Sequence, residues 1–99
     1  MRRSESRNTR RLARTSDAVL CALAMYSGLE VHGAELDDAH RVALLFDADA
    51  LRAVESALMQ GTASVEPIRF AAVYRQMHST YFTPEAKRRI GALGTSEKW

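Results

Sequence analysis

Three histidines, one cysteine and a set of acids are the residues of this chain that could do chemistry. His32 and His40 lie near Asp37 and Asp38, which raises the question of a metal site. Their spacing is not that of a helical i, i+4 pair and no HExxH occurs, so no metal ligands are expected. Cys21 is the sole cysteine, which excludes an intramolecular disulfide and a cysteine zinc cluster. On an apolar stretch it reads as a small buried hydrophobe. His78, in Tyr74-Arg75-Gln76-Met77-His78-Ser79, reads as a helical histidine, satisfied or exposed. No Ser-His-Asp or Cys-His spacing has a recognised signature. The five glycines stand apart and form no phosphate loop. The expectation is a protein that is not an enzyme, with no catalytic residues and no cofactor.

Charge is the stronger signal, because it is segregated. Residues 1–14 hold six Arg and one Glu, net +5. Residues 15–66 hold two Arg against nine acids, net −7, and residues 67–99 hold six bases against two acids, net +4. The formal net charge of +2 therefore hides an acidic middle between basic ends. Arginine suits phosphate by geometry as well as charge. The candidate nucleic-acid-binding residues are Arg2, Arg3, Arg7, Arg10, Arg11 and Arg14 in the arm, with Lys87, Arg88 and Arg89 near the other end. The bland alternative is that these bases neutralise the protein's own acidic elements, or those of a second copy.

The elements that must position these residues read as helices. With 46% apolar and 26% charged residues the chain has ordinary globular composition, and its length makes one domain. The expected organisation is a basic arm over 1–15, a helical domain over 16–94 and a frayed tail over 95–99. Ser16 is the expected cap of a first helix ending near Gly28, apolar nearly all round and so packed on two sides. Leu29 to His32 reads as a loop between glycines. Asp37 or Asp38 opens a short helix to Phe46, and Asp47 caps the next, which ends at Gly61 in a left-handed conformation. Glu66-Pro67 and Thr83-Pro84-Glu85 open two more helices. Phe70, Val73, Tyr74, Met77 and Tyr81 make the apolar stripe of the first of these, and Gly94 ends the second. Hairpin signals of the Asn-Gly type are absent. The fold class expected is all-α, a small bundle of four to five helices with a flexible basic arm.

No apolar run approaches the length that spans a bilayer, and the arm has too few apolar residues to insert, so no membrane partner is expected. A cytoplasmic location fits best. A helix-turn-helix is a weak fit, because the second helix after Phe46-Asp47 is acidic and the turn before Pro84 is long. Two functions follow. The first is a non-catalytic accessory subunit of a protein–nucleic-acid complex, contacting the phosphate backbone while its acidic middle faces a protein neighbour or a second copy. The alternative is a protein-binding regulator or inhibitor of the phage or mobile-element type that docks on a larger complex.

Overall fold

A computed structural model describes residues 11–98, with side chains through Ala92. Arg2, Arg3, Arg7 and Arg10 lie outside the described residues. The chain is not all-α. Its described elements run β1 (Leu12–Thr15), α1 (Ala18–Tyr26), β2 (Gly33–Leu36), β3 (Val42–Asp47), α2 (Ala48–Gln60), α3 (Pro67–Met77), a π-helical turn (His78–Phe82) and α4 (Pro84–Lys98). The strands form an antiparallel sheet in the order β1-β3-β2.

The helix expected before Phe46 is the central strand β3. Val42-Ala43-Leu44-Leu45-Phe46 is a short apolar run, and periodicity cannot tell a strand buried on both faces from a buried helix. Val42, Leu44 and Phe46 point into the core with 1%, 0% and 0% exposure, and Ala43 on the opposite face is also buried. Leu12 to Thr15, expected within the arm, pairs with β3 through Leu12↔Asp47 and Thr15↔Leu44. Gly33 to Leu36 pairs with β3 on its other side.

A β2–β3 hairpin exists without an Asn-Gly turn. Asp37 builds it: its Oδ1 accepts the backbone N–H of Ala39 at 2.9 Å and of Arg41 at 2.8 Å. His40 supplies the left-handed residue, with φ of 62°. Asp37, expected to start a helix, instead uses its side chain to close a turn, the other local structure aspartate favours.

The remaining punctuation falls close to expectation. The cap of α1 is Asp17 rather than Ser16, with Oδ1 accepting from Val19 and Leu20 N–H at 2.9 and 3.1 Å. Asp47 ends β3 and caps α2 through Ala50 N–H, so no helix runs through it. Gly61 closes α2 at φ of 76°. α4 runs through Gly94 to Lys98.

The described helices lie on the side of the sheet that Val42, Leu44 and Phe46 face. α1, with Leu20 to Ala24 buried, packs against both α2 and α3, and α4 lies against β2 and the π-turn. The core joins Leu20, Cys21, Val42, Leu44, Phe46, Leu51, Met77 and Ile90. Burial pushes the Cys21 thiol up to about 12, as for a structural thiol. Among the described residues no helix is long and apolar enough to cross a membrane.

Candidate nucleic-acid interface

Arg11 and Arg14 are set by β1. The Arg11 carbonyl accepts the N–H of Ala48, and its side chain is exposed. Arg14 faces away from the helices, because its partner in the ladder is Leu45 while Ala13 and Thr15 pair with core-facing Phe46 and Leu44. Its Nη1 lies 3.0 Å from Glu35 Oε2 on β2. Arg41 and Arg52 are likewise paired, with Asp37 at 3.2 Å and Asp49 at 3.4 Å.

The second half of the chain differs. Glu66 caps α3, accepting Arg69 N–H at 2.8 Å and Ile68 N–H at 3.3 Å. Its own N–H donates to the Tyr26 hydroxyl at 2.8 Å, fixing the start of α3 to the end of α1. Of the expected stripe, Phe70 and Tyr74 pack on the core and Met77 is fully buried in it, while Val73 is half-buried. The π-turn widens the helix so that Tyr81 and Phe82 also pack on the core. Thr83 ends it in an extended conformation (φ −78°, ψ 160°), as a residue before proline prefers. The Thr83 hydroxyl caps α4 by accepting Ala86 N–H at 3.1 Å.

Ala86 and Ile90 are the buried rungs of α4, which leaves Arg88 and Arg89 exposed and Lys87 half-buried at the margin. Arg89 Nη2 reaches back to the Thr80 carbonyl at 3.4 Å, so its cation sits beside the π-turn that carries exposed His78. Residues 67–92 hold Arg69, Arg75, Lys87, Arg88 and Arg89 against Glu85 alone. Among the described residues none of these five bases is in an ion pair. Arg69 and Arg75 are not among the bases expected from the sequence, because isolated arginines on the polar side of an amphipathic helix form no charge run. Their lack of carboxylate partners is visible only in three dimensions.

The sheet separates the two basic groups. β1 lies on one side of β3, and β2, against which α4 packs, lies on the other. His32 and His40 are exposed, in the segment before β2 and in the hairpin turn. No group of three His, Cys, Asp or Glu arranged to hold a metal occurs among the described residues. Comparison with protein-family models, with curated proteins and with solved structures gives no match.

Proposed function

We propose that this protein is a non-catalytic accessory module of a protein–nucleic-acid complex that contacts the phosphate backbone through arginine and lysine. The observation behind this reading is the contrast in pairing. Arg14, Arg41 and Arg52 are neutralised by Glu35, Asp37 and Asp49. Arg75, Lys87, Arg88 and Arg89 on the α3–α4 hairpin have no carboxylate partner among the described residues. An unpaired cation can release phosphate counterions without first giving up an internal partner. Arg2, Arg3, Arg7, Arg10 and Arg11 extend the same chemistry from the β1 end. A cytoplasmic location belongs to this reading, in keeping with a lone, buried cysteine.

The experiment is oligonucleotide binding across a salt series, with full-length protein and a version lacking residues 1–10. Truncation has to stop at Arg10, because Leu12 to Thr15 are a strand of the sheet. Phosphate contact predicts a linear fall of log K with log salt and a shallower slope after truncation. Absence of binding by the full chain at low salt sinks the proposal.

A second reading, a regulator that docks on a larger protein, is favoured by the apolar side chains left in solvent near the acidic middle. Met59 is 78% exposed and Ile68 76%. A groove lined by Leu23, Val54, Ala57 and Ala63 lies between α1, α2 and the following loop. Co-purification of one stoichiometric protein that survives nuclease treatment supports this reading over the first. Recovery only with nucleic acid counts against it.

A further inference from the structure

We propose that the nucleic acid taken by the α3–α4 hairpin is single-stranded, with a base stacking on His78, the exposed ring of the row Tyr26–Phe70–Tyr74–His78–Phe82. The assignment rests on the phosphate-contact reading above and names its substrate class. Four of the rings follow from an i, i+4 repeat along α3 and the π-turn, and Tyr26 joins from α1. Successive centroids lie 5.9, 6.5, 6.4 and 6.2 Å apart. The row is therefore continuous rather than a set of separate surface aromatics.

Its anchoring and its exposure are divided between different rings. Phe70, Tyr74 and Phe82 pack against the core and are half-buried. His78 lies nearly parallel to Tyr74, at 15°, and is exposed. A rigidly backed ring left in water costs little to present and has area to gain from a base.

Cations flank the row along its length. The Arg69 guanidinium sits over the Tyr26 ring, 5.0 Å from its centroid. At the other end Arg89 is bonded to the π-turn, with Arg88 beside it on α4. Arg75 is exposed on α3 between them. Rings beside unpaired cations are the two components that sequence-tolerant single-strand binders combine, the cations tracking phosphates while the rings take base faces. A duplex offers phosphates to the same cations but keeps its base faces covered. The π-turn fits this role, since such turns recur at functional sites.

The test uses the full-length chain, a labelled oligothymidylate of about 15 nucleotides and a duplex of the same length, at low salt. The single strand is expected to bind more tightly than the duplex. H78A is expected to weaken the single strand about tenfold, leave the duplex unchanged and unfold at the wild-type temperature, while H78F restores the single-strand affinity. Equal affinity for strand and duplex, or an H78A affinity within about twofold of wild type for the single strand, overturns the assignment and leaves phosphate contact standing. No binding of either oligonucleotide by the wild type removes both.

Discussion

Arg14 on β1 and Glu35 on β2 join hands across the central strand, Nη1 to Oε2 at 3.0 Å, on the face of the sheet turned away from the helices. The pair spans β3 diagonally, since Arg14 is registered with Leu45 and Glu35 with Ala43. Both side chains are substantially exposed, so the pair adds at most about 1 kcal/mol to stability. Under the proposed phosphate contact, the pair would also withhold one arginine from the nucleic acid. Glu35→Gln is therefore expected to leave the unfolding midpoint nearly unchanged while tightening single-strand binding and steepening its salt slope by about 0.7. An unchanged slope in anisotropy titrations would mean that Arg14 takes no part.

The hairpin turn should respond to acid and to glycine. Backbone N–H donation from Arg41, then from Ala39, with the Arg41 guanidinium, holds the Asp37 carboxyl below its ordinary value of 3.8. A carboxyl lowered on folding stabilises the fold above its unfolded value, and that contribution disappears as pH falls through the folded one. Asp37→Ala should lower the urea midpoint at pH 6, with the gap to wild type closing below about pH 4. His40 holds φ of 62°, a conformation costly for a residue with a Cβ. His40→Gly should raise stability by up to about 1 kcal/mol in the same titration.

The sheet itself is tested at Phe46. It is fully buried and lies on the same face as Val42 and Leu44, an alternation proper to a strand. Phe46→Ala should cost about 3–5 kcal/mol in denaturant unfolding. A cost below about 1 kcal/mol would contradict this packing.

Cys21 should be inert until the protein unfolds. Its side chain is fully buried and its thiol is pushed up to about 12, first by burial and then by the Asp17 charge. The thiolate is the reactive form. A maleimide or disulfide reagent at pH 8 should label it at the rate of global opening, and quickly in urea. Rapid labelling of the native protein would contradict the buried placement.

The helical half of this fold was largely legible in the sequence, and the sheet was not. Asp47, Gly61, Glu66-Pro67 and Thr83-Pro84 each act through their own neighbouring backbone, so local chemistry locates them. The strands depend on partners far along the chain. Leu12-Ala13-Arg14-Thr15 has no apolar alternation of its own and is a strand because β3 pairs with it. Val42 to Phe46 is apolar at every position, which erases the period that would distinguish strand from helix. The basic residues of α4 were legible as a charge run. That Arg14 is neutralised depends on where Glu35 lies, which only the β1-β3-β2 order decides.

The most direct test of phosphate contact by the α3–α4 hairpin is the salt dependence of oligonucleotide binding for wild type and for the K87Q/R88Q/R89Q variant. These three side chains lie outside the fully buried core, so the variant should fold as wild type does. At about 0.7 per phosphate contact on a single strand, loss of three cations should make the log K versus log salt slope shallower by about 2. Parallel slopes of equal affinity would contradict the account.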